Sequence, residues 1–516
     1  MAQMPDEKIT VSADANVQGR DSETGQVQKI PVGLSAEDLE HALALQRYVP
    51  GTAAEKRLVR KLDFILLPVL WLMYVLAYLD RGNIANANAA GLSEDLGLSD
   101  NQYSLFISTF FVGYFIFEVP SNLMMARFPP SIYLSSIVLV WGAVVAGMSA
   151  SKNASSFLAG RFFLGCIEAG LFPGALYLLT CWYKKDEVGK RFCIFYTSGA
   201  IAPALGGIMA GAVIGGLDGA RGWEGWRWLL LIEGVITVAC ALCLYFLLVD
   251  YPLTTKRFSP EERQLAYIRI LHDRKTNVSQ DTGKLTGWQA VKAVVADVRT
   301  WFFLVLYVLD SSSTTISYFI PTILKQMGYT SVTAQWMTVP IWSVAAVFML
   351  FFSWTSDKTQ DRRWHNTGLL SVPFIACIIC MTVQGGVVRY VMMCFFVAGL
   401  YTAVPLILNW ASETLALPDK KRSVALAWIN SVGNLSIIYG SYLWPSKDSP
   451  KYTKGFASVA AFTGVGVILA ALIPILFSFK FIVPDQPRTK AERDLLAREA
   501  ELTVELTAES PEQSQV

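Results

Sequence analysis

The chain has 516 residues, of which 53% are hydrophobic and 16% are charged, and its formal net charge is +2. Soluble proteins carry about a quarter charged residues, so this composition excludes an ordinary soluble enzyme. Together with a mean hydropathy of +0.40, it indicates a protein embedded in lipid. No basic tract is present, so we expect no nucleic-acid partner.

The chain starts with a polar stretch, residues 1–60, that has no apolar core ahead of a small-residue cleavage site. We therefore expect no signal peptide. Residues 1–60 and 481–516 are predicted to form two cytoplasmic tails.

Twelve predominantly apolar stretches lie between the tails, each near the roughly 20 residues that a membrane-crossing helix needs. They are found near 62–86, 102–126, 131–150, 155–182, 189–216, 227–249, 301–324, 334–354, 366–384, 387–412, 423–444 and 455–479. The sequence thus predicts an all-α membrane protein whose twelve transmembrane helices form two six-helix bundles.

One long hydrophilic segment, residues 250–299, separates six spans from six. The predicted bundles are residues 61–249 and 300–480, and the segment between them is a predicted cytoplasmic linker. It contains Ser259-Pro260-Glu261-Glu262, a capping box with proline at the first helical position, which predicts a surface helix.

Basic residues in the short loops predict the orientation, because cytoplasmic loops are enriched in Lys and Arg. With the amino terminus inside, cytoplasmic positions such as Arg57, Lys184 and Arg363 outnumber those on the other side, such as Lys152 and Lys325. An even number of spans then places both termini in the cytoplasm.

Two rows of small residues have the four-residue spacing that lets membrane helices approach closely. The rows are Gly207, Gly211 and Gly215, and Gly170 with Gly174. Static packing and a surface on which the two halves move against each other are both open interpretations.

Signals for catalysis or bound metal are lacking in the sequence. The eight cysteines lie in or beside apolar stretches, which favours buried side chains over disulfides or a redox motif. No nucleotide-binding GxxxxGK[ST] loop, metal-ligand cluster or nucleophile elbow occurs. We predict neither an enzyme nor a cofactor or metal site.

Ionisable residues inside the spans are the main functional signal, since a charge at the bilayer centre costs roughly 3 kcal/mol on insertion scales. Asp80 and Arg81 lie in span one, and Arg161 and Glu168 lie in span four. The latter two are two turns apart on one face, about 10 Å along the axis. From their depth, Asp80 and Arg81 share a layer with Arg161, and Glu168 lies nearer the middle.

Two acids and two bases in one bundle form a nearly neutral cluster. Protonation of an acid frees its basic partner, and a substrate carboxylate can then take the place of that acid. The cluster thus offers a way to couple a proton gradient to anion movement. The alternative is an ion-pair network that only fixes helix packing, although buried pairs are weak evidence for stability.

Other polar groups within the spans have different predicted roles. Glu118 is interpreted as structural or gating, and Glu233 as structural. The run that starts at Asp310 either lines a cavity or bonds to its own helix backbone. Asn430 and Asn434, one turn apart on one face, are predicted to line a cavity.

The chain resembles the anion:cation symporter family of the major facilitator superfamily between about residues 61 and 480. Within this family it resembles the fungal allantoate, nicotinate and pantothenate permeases. The motifs that carry the resemblance are Leu79-Asp80-Arg81-Gly82-Asn83-Ile84, Asp95-Leu96-Gly97-Leu98, Phe117-Glu118-Val119-Pro120-Ser121-Asn122-Leu123, Gly160-Arg161-Phe162-Phe163-Leu164-Gly165 with Glu168-Ala169-Gly170, Gly225-Trp226-Arg227-Trp228, and Asn430-Ser431-Val432-Gly433-Asn434.

The resemblance implies two bundles around a central cavity that opens alternately to each side, and carboxylate solutes that move with protons. It implies that Asp80 and Glu168 couple protons, and that Arg81 and Arg161 are their basic partners and bind substrate. Asn430 or Asn434 falls where relatives contact substrate.

Two departures from the family pattern concern cytoplasmic ends of spans. Met124-Met125-Ala126-Arg127-Phe128-Pro129-Pro130 is a degenerate form of the superfamily loop motif, whereas Ser356-Asp357-Lys358 with Arg362 and Arg363 preserves it better. Glu413 stands where many fungal relatives have Asn. The solute of any one fungal permease is therefore not assigned to this chain.

The leading hypothesis is therefore proton-coupled symport of a small organic anion by a monomer in the plasma membrane. A superfamily exporter of a fungal secondary metabolite is the alternative, because Gly199-Ala200-Ile201-Ala202-Pro203 loosely resembles the exporter motif of span five. A transporter-like nutrient sensor is a third possibility, although sensors typically carry longer cytosolic tails.

Overall fold

The computed structural model describes residues 44–45, 47–125, 127–280, 287–383, 385–415 and 419–479. Over these ranges the chain is helical and contains no strand. Most of both predicted tails, including all of 481–516, lies outside the described residues.

Twelve helical spans follow one another along the described chain. They are α1 (Ala53–Ala89), α2 (Asp100–Met125), α3 (Pro130–Met148), α4 (Ala154–Trp182), α5 (Glu187–Leu217), α6 (Gly225–Leu247), α7 (Val298–Tyr318), α8 (Ser331–Thr359), α9 (Arg363–Thr382), α10 (Gly386–Thr414), α11 (Asp419–Asn434 and Ser436–Gly440) and α12 (Thr453–Ser478).

Nine of these helices are long and apolar enough to cross a membrane, and α7 becomes a tenth when it is joined to the bent segment Ile320–Gln326. The other two, α2 and α11, take the second and eleventh positions. α11 starts with charged side chains and carries amides along its length. The predicted all-α membrane fold with two six-helix bundles is confirmed.

α1 begins earlier than hydropathy predicts. The side chain of Thr52 accepts a hydrogen bond from the backbone N–H of Glu55 at 3.3 Å and so caps the helix. Lys184 forms an ion pair with Glu55 at 2.5 Å. Charged residues that a hydropathy window assigns to the tail are thus the first turns of the helix.

Four spans are interrupted along their length, and α5 is one of them, with a break at Thr197. α4 is interrupted between Glu168 and Leu171, α11 is interrupted at Leu435, and α7 ends in a 3-10 segment, Thr314–Tyr318, bent by 53° against Ile320–Gln326. In a membrane, irregular backbone is tolerated where it is buried in protein or lines a cavity. The breaks in α4 and α11 directly follow the candidate site residues Glu168 and Asn434.

The linker contains the predicted surface helix, at Pro260–Gln280, and a second helix at Gly287–Ala296. Its capping box is confirmed, since Ser259 and Glu262 exchange backbone-to-side-chain hydrogen bonds of 3.0 and 3.2 Å. Lys61 of α1 pairs with Glu262 at 2.8 Å. We call the end of the molecule that carries these helices the linker side, and the opposite end the far side.

The two bundles meet on the far side through hydroxyl and amide groups that bond to backbone. Ser104 donates to the carbonyl of Ser441 at 2.8 Å, and Tyr103 donates to the carbonyl of Tyr318 at 2.7 Å. Small residues of α5 face α8 at this end, where a Cβ on Gly207 would lie 2.1 Å from Oγ1 of Thr338. The far side is therefore closed.

The two glycine rows have different surroundings. Gly207, Gly211 and Gly215 lie against α8, across the junction between the bundles, whereas Gly170 and Gly174 pack inside the first bundle. The first row matches the interpretation of a surface between the halves, and the second matches static packing.

Candidate functional site

A cavity of about 1610 Å³ lies between the bundles and is lined by both. Its lining reaches linker-side helix ends through Tyr183, Asp357 and Arg362. Because the far side is closed, the cavity opens toward the linker side, which the loop charges predict to be cytoplasmic.

Arg81 and Glu168 form an ion pair between α1 and α4. The Nε–H of Arg81 donates to Oε1 of Glu168. Glu168 is fully buried, whereas the Arg81 side chain is 15% exposed and lines the cavity. The second Glu168 oxygen and Nη2 of Arg81 have no hydrogen-bond partner among the described residues. The base therefore faces the solute path and the acid lies behind it.

Aromatic rings surround the Arg81 guanidinium. Its carbon lies 5.0 Å from the ring centre of Tyr114 and 5.5 Å from that of Tyr78, both of which line the cavity. Cation–π contacts of this kind stabilise a cation where water is scarce. Arg81 makes these ring contacts in addition to its ion pair with Glu168.

Asp80 has a different environment from its neighbour Arg81. Its Oδ2 accepts a hydrogen bond from Nε1 of Trp141 at 2.6 Å and one from Thr237 at 3.4 Å. The side chain is buried inside the first bundle and is not part of the cavity lining. The predicted four-residue cluster is thus divided, because Asp80 bonds to α3 and α6 rather than to either arginine.

Arg161 is also buried, with an exposure of 2%. Its Nε donates to the carbonyl of Phe106 at 3.4 Å, and its guanidinium lies 5.1 Å from the ring centre of Phe110. Glu168 and Asp80 are near enough to act on it electrostatically. Arg161 does not line the cavity in this conformation, so its role in binding substrate stays a prediction.

The opposite wall of the cavity is built from amides and hydroxyls. Oδ1 of Asn430 accepts a hydrogen bond from the Tyr307 hydroxyl at 2.9 Å, and Oδ1 of Asn434 accepts from Tyr307 and Ser311 at 3.4 and 3.5 Å. All four residues line the cavity. The predicted shared face of the two asparagines therefore meets the solute path.

Glu118 connects the two bundles within this cavity. Its Oε2 accepts a hydrogen bond from the Ser431 hydroxyl at 3.1 Å, and its side chain is part of the lining. This contact joins α2 to α11 beside Asn430. Sequence alone suggested a structural or gating role and gave no partner.

The polar run of α7 divides between the two interpretations. Ser311 and Thr314 line the cavity, whereas Ser313 bonds to the carbonyl of Leu309 in its own helix at 2.8 Å. Asp310 is buried, and neither of its carboxylate oxygens has a hydrogen-bond partner among the described residues. The same holds for both oxygens of Glu233.

The better-preserved loop motif forms an ion-pair group at the cavity mouth. Arg362 pairs with Glu413 at 2.7 Å and with Asp357 at 2.8 Å. Glu413, the residue that departs from the fungal pattern, thus lies at the linker-side end of α10. Its partner is the motif arginine.

Sequence reasoning missed three residues of the site. Trp141 lies in an almost wholly apolar stretch, so nothing marks its ring N–H as the partner of Asp80. Tyr307 lies one turn before Asp310, a spacing that indicates a shared helix face. Ser431 is adjacent to Asn430, and its place in the asparagine motif was the signal that could have marked it as a site residue.

Comparisons with known proteins agree with this geometry. The family model described as Major Facilitator Superfamily matches residues 70–441. The chain belongs to the major facilitator superfamily. It is consequently a secondary transporter of that type and not an enzyme.

The chain is similar to the MFS-type transporter cnsO of Penicillium expansum, with 34% identity over 93% of both chains. It is 28% identical to the 'Putative tartrate transporter' of Agrobacterium vitis, over 81% of this chain and 92% of that one.

A solved structure has a similar fold. It is a bacterial homologue of the human lysosomal transporter Spinster in an inward-facing, unoccupied conformation, with a TM-score of 0.64 and 17% identity. It covers 82% of this chain and 98% of its own. At this identity the likeness shows the fold alone.

Proposed function

We propose that this transporter moves small organic anions together with protons by alternating access, with Arg81 as the anion-binding residue and Glu168 as the proton-coupling residue. The observation that carries the proposal is their shared ion pair, in which the base faces the cavity and the acid is buried behind it. In this arrangement, one site can be occupied in turn by a carboxylate of the protein and one of the solute.

The proposed coupling follows from charge balance. While Glu168 is ionised, its carboxylate neutralises Arg81, and a solute anion gains little from the same base. A proton on Glu168 removes that competition and leaves a buried cation without a counter-charge, which is costly. A solute carboxylate then neutralises Arg81, so binding of the proton and the anion favour each other.

Asp80 is the second proposed proton-coupling residue. It lies next to Arg81 in the chain and near Glu233 inside the bundle. Its hydrogen bonds from Trp141 and Thr237 hold it away from the cavity. It therefore acts in the proposal as an internal proton acceptor rather than as a solute ligand, and Arg161 is its electrostatic neighbour.

The solute class has support from both walls. Asn430 and Asn434 offer hydrogen bonds to neutral polar groups of the solute on the side opposite Arg81. The relative named 'Putative tartrate transporter' supports organic anions as the solute class of the proposal. A plasma-membrane monomer with both termini in the cytoplasm completes the proposal.

The test uses purified protein in vesicles, with a panel of radiolabelled carboxylates and an imposed pH gradient. We expect accumulation of at least one carboxylate, and we expect a protonophore to abolish it. Glu168→Gln should lose gradient-driven accumulation but retain exchange of labelled for unlabelled solute. Glu233→Gln is the matched control, because it neutralises a buried acid in the same bundle that pairs with no base among the described residues.

Unchanged accumulation by Glu168→Gln would remove the assigned coupling role. Transport that ignores the pH gradient in the unmodified protein would remove proton coupling altogether. Absence of transport for every carboxylate in the panel would contradict the proposed solute class.

Export of a larger metabolite is the second candidate. Binding pockets for small ligands commonly measure about 300–1,000 Å³, and this cavity of about 1610 Å³ is larger and open toward the predicted cytoplasm. Aromatic side chains such as Tyr78, Tyr114 and Trp342 line it. Loss of tolerance to a metabolite on deletion, without a nutrient growth defect, would favour this function.

A further inference from the structure

We propose that the cavity selects solutes with one negative charge over solutes with two, and that Glu118 is the residue that enforces this selection. The inference rests on the proposed function, since it concerns the charge of the anion that Arg81 binds. It assigns to Glu118 a specificity role that its contact with Ser431 makes possible.

The charges of the cavity lining are divided by depth. Asp357, Arg362 and Arg422 line the cavity from the linker-side ends of their helices. Away from those ends and from the linker helix, the charged lining residues in the described chain are Arg81 and Glu118. The interior therefore presents one cation and one anion.

Glu118 lies beside the wall formed by Asn430 and Asn434, which is proposed to contact the end of the solute that Arg81 does not bind. Its carboxylate accepts the hydroxyl hydrogen of Ser431, the residue directly after Asn430. It is also near enough to Arg81 to interact with it electrostatically. A solute that spans the cavity from Arg81 to the asparagines thus brings its far end close to the Glu118 carboxylate.

The two ends of such a solute meet different chemistry. A carboxylate at one end is neutralised by Arg81. A neutral amide or hydroxyl at the other end finds donors and acceptors in Asn430, Asn434 and Tyr307. A second carboxylate there finds no interior cation in the described lining and faces a like charge. Like charges placed together discriminate strongly between partners.

The experiment compares matched pairs of solutes that differ in one charged group. The pairs are succinate with succinamate, phthalate with phthalamate, and tartrate with tartramate, at a pH where all their carboxyl groups are ionised. In each pair an amide replaces one carboxylate at nearly constant size and shape. Binding to the detergent-purified protein is measured as competition against whichever labelled carboxylate the vesicle panel finds to be transported.

We expect the unmodified protein to bind the monoanion of at least one pair about tenfold more tightly than the dianion. Glu118→Gln should reduce this ratio to about twofold or less, mainly through tighter binding of the dianion. Glu118→Asp keeps the charge and should keep the preference. Glu233→Gln, an acid that does not line the cavity, should leave the ratio unchanged.

The outcomes distinguish a failure of the charge selection from a failure of the proposed anion transport. Equal or tighter binding of dianions by the unmodified protein, or an unchanged ratio in Glu118→Gln, overturns the charge selection and leaves anion transport intact. Failure of every monoanion and dianion to bind overturns the proposed function itself. Because Gln has the size of Glu and can accept the same Ser431 hydrogen bond, the variant should elute as a single folded species. Ser431→Ala, which keeps the Glu118 charge, should retain the preference and gives an independent check.

Discussion

Arg81 and Glu168 form a buried ion pair that joins α1 to α4 at the wall of the cavity. The acid has no exposure and the base has 15%. Each has a further polar atom without a hydrogen-bond partner among the described residues. The pair is therefore less than fully satisfied, which suits a contact that a solute and a proton are proposed to break.

The energetic weight of this pair can be measured without knowledge of the solute. Arg81→Leu should destabilise the protein by about 3–5 kcal/mol, because it leaves the Glu168 carboxylate buried and unpaired. Arg81→Leu combined with Glu168→Leu should recover most of that loss, since no charge remains to be desolvated. Thermal unfolding in detergent at neutral pH gives both values.

The contrast between the single and the double variant distinguishes a buried pair from ordinary packing. A double variant that is no more stable than Arg81→Leu alone would contradict the pairing. The double variant should still fail to accumulate solute in vesicles, because it lacks the proposed anion ligand.

Neither the exact depth of the charged residues nor their rotation about the helix axis was predictable from the sequence. Counting residues from the span ends placed Arg81 in the layer of Arg161 and Glu168 nearer the middle, whereas Arg81 pairs with Glu168. The same counting could not separate Asp80 from Arg81. Adjacent residues on a helix point about 100° apart, so one faces the cavity and the other faces Trp141. Helix packing decides that rotation.

The start of the linker helix could be predicted from the sequence, whereas the breaks within the spans could not. The capping box at Ser259 follows from local chemistry, so the sequence alone predicts where the linker helix begins. The break after Glu168 and the break after Asn434 lie beside the cavity, which Phe172 and Asn434 line. Hydropathy averages over such breaks and predicts continuous spans instead.

Asp297 anchors the start of α7 on the linker side. Burial raises the pKa of its carboxyl, but the hydrogen bond from Arg299 and the charge of Lys421 outweigh burial and lower the pKa from 3.8 to about 2. The ion pairs measure 2.7 and 3.0 Å. A group with a depressed pKa stabilises the folded state above its unfolded pKa and loses that contribution as pH falls toward the folded pKa.

Asp297→Asn should accordingly cost about 2 kcal/mol at neutral pH. The difference from the unmodified protein should persist down to about pH 4 and shrink between pH 4 and pH 2. Thermal unfolding at pH 7, 4.5 and 3 measures it. Glu261→Gln, at an exposed position of the linker helix, is the control and should change little. A difference that stays constant from pH 7 to pH 3 would contradict the assignment.

Gly207 lets α5 and α8 close the far side, because a Cβ there would lie 2.1 Å from Oγ1 of Thr338. Gly207→Val should therefore separate the bundles at that end and shift the protein toward a far-side-open state. A cysteine introduced at Ser104, which is 5% exposed in the closed seam, should then react severalfold faster with a membrane-impermeant maleimide. Gly216→Ala is the matched control, since a Cβ at Gly216 meets nothing within 4 Å. If Gly207→Val elutes as folded protein yet labels at the unmodified rate, the α5–α8 contact does not hold the far side closed.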